Sequence, residues 1–157
     1  MTTTTPRIEI DRVRKHTSAK NLESIEQQIE DSIRFYATQP VAAITRRIDE
    51  LEWEWSIERW LETNASSLAF SGIVLGLTVS RKWFALPLLV TGFLFQHAIH
   101  GWCPPVPILR RMGIRTRSEI DREKFALKVI RGDFKDIDST ALEQPSQTKR
   151  ILAAVNA

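Results

Sequence analysis

Apolar residues recur with a helical period in the first third of the chain. They stand three or four residues apart, which places their side chains on one face of an α-helix. These residues are Leu22, Ile25, Ile29, Ile33 and Tyr36. Ser18 before them is a suitable N-cap and Pro40 closes the run, so a helix is predicted over residues 19–38.

A second amphipathic stretch follows Pro40 with heptad spacing. Its apolar positions are Val41, Ile44, Ile48, Leu51 and Trp55. Arginine and glutamate residues surround this stripe, as on a helix with a solvated outer face. So short a stripe favours packing within the chain over a coiled coil between chains. Residues 19–62 are therefore predicted to form a cytoplasmic amphipathic helical hairpin.

The middle of the chain is apolar in two blocks. Residues 63–80 and 83–109 contain no Asp, Glu, Lys or Arg, and only Arg81 and Lys82 separate them. The spans are predicted at about 65–80 and 83–100. Helices over their apolar parts, residues 65–79 and 83–99, would be roughly 22–26 Å long, a little short of the roughly 30 Å of hydrocarbon in a bilayer. We predict a two-span transmembrane hairpin over residues 63–102. A soluble hairpin with a tryptophan-rich core is the alternative.

Tryptophans and cations flank these blocks. In an up-and-down hairpin, Trp60 and Trp102 would lie at one membrane interface and Trp83 at the other. More arginines stand on the outer flanks than the two cations of the turn, so both termini are predicted to be cytoplasmic. The flanking arginines are Arg46, Arg47, Arg59, Arg110, Arg111, Arg115 and Arg117.

Three prolines mark the exit from the second block. Pro104, Pro105 and Pro107 cannot continue a helix, so the second span must end near Trp102. The next residues are predicted to lie along the interface. Val106, Ile108 and Leu109 would face lipid, and Arg110 and Arg111 would face phosphates.

The remaining segments are polar. Thr116 and Glu119 have the spacing of a capping box and Gly132 is a suitable C-terminal cap, which predicts a helix over residues 117–131. Residues 103–132 thus combine an interfacial exit with a cytoplasmic helix. Residues 1–18 are expected to be flexible, and residues 133–157 to be a mobile tail with a short helix at 148–154. No stretch alternates like a strand, so the fold class is all-α.

Composition narrows the function. The 157 residues carry a net charge of +3 from 22 basic and 19 acidic side chains, and these are interleaved, so no nucleic-acid surface is expected. One cysteine makes no intramolecular disulfide. The first 15 residues lack an apolar core, so no secretory signal is expected. No catalytic motif is recognisable, and we expect neither an enzyme nor a cofactor.

One cluster is chemically suggestive. His97, His100 and Cys103 follow one another at three-residue steps, and imidazole and thiolate are good metal ligands. However, structural zinc takes four protein ligands and catalytic zinc takes three. Interfacial histidines beside a small apolar cysteine are the favoured interpretation. A redox-, sulfur- or metal-handling membrane protein is the alternative.

Small residues lie on the first span. Gly72, Gly76 and Ser80 are four residues apart, a spacing that lets two helix backbones approach closely in lipid. They predict a helix-packing face, either between the two spans or between copies of the chain. An oligomeric pore is a weaker alternative, because neither span carries a charged residue.

Residues 58–117 resemble a known bacterial family. A hairpin with Gly72 and Gly76, the exit Gly101-Trp102-Cys103-Pro104, and the turn Met112-Gly113-Ile114 are similar to the YgaP-like transmembrane domain family. The resemblance implies an integral membrane hairpin within an oligomer. In that family the named member carries a rhodanese domain, which this chain lacks, so sulfurtransferase activity is not implied.

These observations predict a small integral protein of the bacterial inner membrane that acts in interaction or scaffolding. Its partners would be the lipid bilayer and either further copies of itself or another membrane protein.

Overall fold

The computed structural model describes residues 12–135, 137 and 145–156. All the regular secondary structure in this part of the chain is helical, which confirms the all-α prediction for the described residues. The helices are α1 (Arg12–Lys15), α2 (Ala19–Tyr36), α3 (Val41–Trp53), α4 (Ile57–Thr78), a 3₁₀ turn (Arg81–Phe84), α5 (Ala85–His100), α6 (Val106–Arg111), α7 (Arg117–Arg131) and α8 (Pro145–Asn156).

The chain forms two compact units. Unit 1 comprises Met1–Glu26 and Trp55–Ser118, and unit 2 comprises Gln27–Glu54 and Glu119–Ala157. Each unit therefore combines segments that are far apart in the sequence. Neither follows the linear division that the hydrophobic pattern suggests.

Helix bounds follow local capping. The first long helix, α2, begins at the predicted residue 19 but ends two residues early at Tyr36, in a turn before Pro40. Helix α7 has the predicted bounds of 117–131. The second amphipathic helix, however, ends at Trp53. Ser56 then caps α4 by accepting a hydrogen bond from the Arg59 backbone N–H at 3.4 Å, so Trp55 does not extend the heptad stripe.

Three residues of the stripe on α3 are buried within unit 2, whereas Val41 at the start of the helix is exposed. Ile44, Ile48 and Leu51 pack with two residues of α7, Ile120 and Leu127. All five are nearly inaccessible to solvent. Because α7 covers the stripe, the apolar face of α3 is used for packing within the chain.

Unit 1 has its own core at the base of the α4–α5 pair. Val13, Ile57, Leu61, Cys103 and Val106 form it. Residues 1–11 of the segment expected to be flexible lie outside the described residues. From Arg12 onward, however, the chain is helical and its Val13 is buried. Val13 therefore packs against the base of the hairpin.

The C-terminal helix is longer than predicted. Helix α8 covers Pro145–Asn156, whereas the sequence predicts 148–154. Lys128 of α7 donates a hydrogen bond from Nζ to the Val155 carbonyl at 2.5 Å, and Ala154 is buried. Burial and the nearby Lys124 lower the pKa of Lys128. Because α8 is held by these contacts, the described end of the chain is not a free tail.

Charged side chains also lie inside unit 2. Glu123 is fully buried, and its Oε1 accepts hydrogen bonds from Arg47 Nε at 3.1 Å and Ser32 Oγ at 2.5 Å. Arg131 donates two hydrogen bonds to the Asp133 carboxylate, at 2.8 and 2.6 Å, and these lower the pKa of Asp133. Such groups tolerate burial because each has charged or polar partners.

This arrangement predicts the effect of removing one charge. Arg47→Met leaves the buried Glu123 carboxylate with less compensation and should lower the free energy of unfolding by about 2 kcal/mol. The expected loss is below that of a fully buried pair because 23% of the Arg47 side chain is exposed. Arg46→Met is the matched control: its side chain is 77% exposed and 3.9 Å from Glu50, so the change should stay within about 0.5 kcal/mol. Denaturant titration followed by circular dichroism measures both, and equal losses would contradict the prediction.

Candidate functional site

The α4–α5 pair is a helical hairpin closed by a short turn. The Ser80 hydroxyl accepts a hydrogen bond from the Lys82 backbone N–H at 3.5 Å, which begins the 3₁₀ turn. Arg81 and Lys82 are exposed there. Ser80 is itself exposed and caps the turn, which corrects the prediction that it continues the glycine face.

Two glycines let the hairpin helices touch. A Cβ atom at Gly72 would lie 2.5 Å from Pro87 Cδ, and one at Gly76 would lie 2.8 Å from Phe84 Cε1. Real Cβ atoms essentially never come this close to another heavy atom. Both glycines are buried; Gly76 faces Phe84 at the end of the turn and Gly72 faces Pro87 in the first turn of α5. In this structure they serve the contact within the chain, one of the two alternatives that the sequence left open.

The outward faces of the hairpin are apolar and uncovered. Helix α5 has no buried residue. Exposed side chains on the two helices include Leu68, Phe70, Leu77, Leu88, Leu89 and Phe95. Isolated apolar side chains are common on protein surfaces, but a contiguous patch of this kind marks a membrane or protein contact.

Among the described residues, one helical stretch is long and apolar enough to cross a bilayer. It is Arg81–His100, and none of it is buried. Helix α4 is not a candidate span by the same criterion; its first two turns carry Glu58, Arg59 and Glu62. The structure therefore supports one candidate span.

The exit from α5 depends on a glycine. Gly101 ends the helix with a left-handed φ of 74°, and a Cβ atom there would lie 2.6 Å from the Arg12 carbonyl carbon. The Arg12 guanidinium donates hydrogen bonds from one nitrogen to the carbonyls of Ala98 at 2.8 Å and Ile99 at 3.1 Å. A cation on the last carbonyls of a helix is favourable. Helix α1 thus closes the end of α5.

Helix α6 is oriented differently from the prediction. Arg110 was expected to face lipid phosphates, but it is 1% exposed. Its Nε donates a hydrogen bond to Thr17 Oγ1 at 2.9 Å and its Nη1 to the Ile114 carbonyl at 3.3 Å. Val106, expected to face lipid, is buried in the core. Val106 and Arg110 are four residues apart and therefore lie on the same face of α6. Because this face packs against the core, both side chains are buried.

The outer face of α6 carries some of the side chains expected of a segment that lies along a membrane interface. Ile108 and Met112 are exposed apolar side chains, and Arg111 is exposed beside them. Leu109 is half-buried and packs against the unit 1 core. An apolar pair next to a cation suits a membrane surface.

The predicted interfacial tryptophans are only partly accessible. Trp60 and Trp83 are exposed and Trp102 is half-buried. Trp60 lies against Trp55, with ring centroids 5.1 Å apart, and the Arg59 guanidinium stands 4.6 Å above the Trp55 ring. The heptad pattern assigned Trp55 to the stripe of α3, so the sequence did not predict its contact with Trp60.

The histidines and the cysteine do not form one cluster. His97 and Cys103 line the same cavity, of about 130 Å³, whereas His100 is exposed and does not line it. No group of three potential ligands for a metal ion is found in the described part of the chain. Burial raises the pKa of the Cys103 thiol, which disfavours the reactive thiolate. This geometry offers little to redox or metal chemistry.

Comparing two glycines tests the docking of α1. Gly113 also has a positive φ, 79°, but a Cβ atom there meets nothing within 4 Å. Gly113→Ala should therefore cost only the left-handed strain of about 1–2 kcal/mol. Gly101→Ala adds a clash with α1 and should release it, giving faster trypsin cleavage after Lys15. Equal cleavage rates in the two variants would refute this role of Gly101.

A second pair of variants tests the hairpin contact. Gly76→Leu should destabilise the hairpin by about 1–3 kcal/mol through overpacking against Phe84. Gly92→Leu makes the same chemical change where a Cβ atom meets nothing within 4 Å, so it should be neutral or slightly stabilising. Thermal unfolding in mild detergent measures both, with light scattering for mass. If Gly76→Leu lowers the mass without lowering the unfolding temperature, the glycine face joins separate chains.

Comparison with known proteins gives no family. No protein-family model matches the chain, no curated protein matches it, and no solved structure matches its fold. Function is therefore argued from the geometry of the chain itself.

Proposed function

We propose that this chain is an integral protein of the bacterial inner membrane whose α4–α5 hairpin is its anchor and whose remaining helices bind a partner. The observation that carries the proposal is the uncovered apolar surface of the hairpin. Burying each large apolar side chain in hydrocarbon contributes about 1.5–3 kcal/mol. The exposed leucines and phenylalanines of α4 and α5 make insertion strongly favourable.

The proposal includes both helices as spans. Helix α5 with its turn is a candidate span on its own. The two helices are in contact at Gly72 and Gly76, so insertion of α5 carries the apolar half of α4 with it. The charged first turns of α4 then lie at the interface, beside Trp55 and Trp60. Tryptophan is enriched at this depth of a membrane.

The distribution of cations supports an orientation of the hairpin in the membrane. Arg59 and Arg111 are exposed at the base of the hairpin, and Arg81 and Lys82 are exposed at its turn. Arg110 and Arg115 on the same flank are buried, but they too count toward retention of that side in the cytoplasm during insertion. We therefore propose that both termini are cytoplasmic.

The partner surface is proposed to lie in unit 2. Its core is closed, but Phe35, Trp53 and Val129 remain exposed, with Trp53 75% accessible. Aromatic residues are enriched in protein interfaces. A membrane-anchored interaction or scaffold protein, as a homo-oligomer or with another membrane protein, accounts for both surfaces. Membership of the YgaP-like family agrees with the hairpin and its Gly-Trp-Cys-Pro exit and remains part of the proposal.

Topology labelling tests the anchor. In a Cys103→Ser background, Lys82→Cys should react with a membrane-impermeant maleimide on intact spheroplasts. Lys20→Cys, which is exposed on α2, should react only after lysis. The chain should also stay in the pellet after alkaline carbonate washing.

The outcomes separate the alternatives. Release by carbonate would show that the hairpin is not integral and favour a soluble helical protein. Labelling of Lys20→Cys before lysis with protection of Lys82→Cys would reverse the orientation. Labelling of both before lysis would leave α5 as a single span.

A further inference from the structure

Two cavities between α4 and α5 form one crevice. The smaller has a volume of about 130 Å³ and reaches Leu61, His97 and Cys103 at the base of the hairpin. The larger, of about 370 Å³, continues toward Ala69. Both are lined by Ala65, Val90 and Leu94. The crevice therefore runs along the hairpin, away from the glycine contact.

The position of the small residues explains the crevice. Near the turn, Gly72 faces Pro87 of α5 and Gly76 faces Phe84 of the turn. Neither position has space for a Cβ atom. Toward the base, Ala65 and Ala69 of α4 leave room that no side chain of α5 fills. The space between α4 and α5 is therefore wedge-shaped, narrow near the turn and open at the base.

Three polar side chains on the crevice wall are hydrogen-bonded within their own helices, whereas His97 Nδ1 at the base is buried and has no hydrogen-bond partner. Ser66 Oγ donates a hydrogen bond to the Glu62 carbonyl at 2.7 Å and Thr91 Oγ1 to the Pro87 carbonyl at 2.6 Å. Asn64 Nδ2 donates to the Trp60 carbonyl at 2.8 Å. Since these donors are satisfied within their own helices, water would find few partners there. The wall is suited to an apolar occupant.

We propose that the crevice binds one acyl chain of a bilayer phospholipid. This rests on the proposed insertion of the hairpin, which surrounds the crevice with acyl chains. An apolar cavity of about 150 Å³ accommodates a benzene molecule, so the smaller cavity alone accepts a segment of about six carbons. A partner helix does not fit between α4 and α5, because helix axes must be about 8–10 Å apart and these two already touch at the glycines.

The bound chain would complete the packing of unit 1. Its first carbons lie beside Leu61 and Cys103, which belong to the unit 1 core. The remainder follows Val90 and Leu94 along the hairpin. The lipid thus fills space that would otherwise be a void between two helices that touch only near the turn, and it makes the base of the hairpin rigid.

Native mass spectrometry in mild detergent tests the proposal. The wild-type chain, extracted from phospholipid membranes, should retain one phospholipid. Ala65→Phe places a ring in the crevice and should reduce the lipid-bound fraction about tenfold, a change of about 1.4 kcal/mol in binding. Ser71→Phe adds the same ring to the same helix at an exposed position outside both cavities and should leave lipid retention unchanged.

A second measurement uses the unmutated chain. After detergent extraction, a retained phospholipid with a diazirine in its acyl chain should cross-link to peptides containing Ala65 or Val90–Leu94. Adducts only on outward residues such as Phe70 and Leu88 would overturn the proposal, as would equal lipid retention by Ala65→Phe. Absence of lipid together with a lower oligomer mass in Ala65→Phe would assign the crevice to a second copy instead.

Carbonate washing of the same samples separates this proposal from the proposed function. If the wild-type chain is integral but carries no lipid, only the acyl-chain site is wrong. If the chain is released by carbonate, the membrane anchor itself is wrong.

Discussion

The contact between α4 and α5 at Gly72 and Gly76 determines the architecture of unit 1. Because the second helix approaches where a Cβ atom would clash with Pro87 and Phe84, the two helices are held together at the turn. The space toward their base is left as a crevice. Their outward faces remain apolar and uncovered, since the contact uses small residues and little large side-chain surface.

The base of the hairpin is built by residues that resemble a membrane exit in sequence but serve packing in the structure. Gly101 permits α1 to approach the last carbonyls of α5, and Cys103 enters a core with Val13 and Ile57. Arg110 is buried among hydrogen-bond acceptors. The proline-containing exit is thus folded onto the base of the hairpin, where it fixes the end of α5.

The two units differ in what they leave exposed. Unit 1 has a small core and a large apolar exterior. Unit 2 buries Ile44, Ile48 and Leu51 of its apolar stripe and pairs its interior charges, including Glu123 with Arg47. The proposed membrane anchor and the proposed partner surface thus lie in different parts of the chain.

The bounds that period, caps and prolines specify locally could be read from the sequence: α2 begins, and α7 begins and ends, where the pattern places them. The sequence also identified the apolar hairpin and its glycines. Tertiary structure decided which side chains face inward. The spacing of apolar residues does not show whether Arg110 contacts a lipid phosphate or Thr17, or whether Trp55 belongs to α3. Nor does it show that His97 and Cys103 line one cavity while His100 does not. Those outcomes depend on which distant segment covers each face, and α1, α7 and α8 are brought into place only by the folded chain.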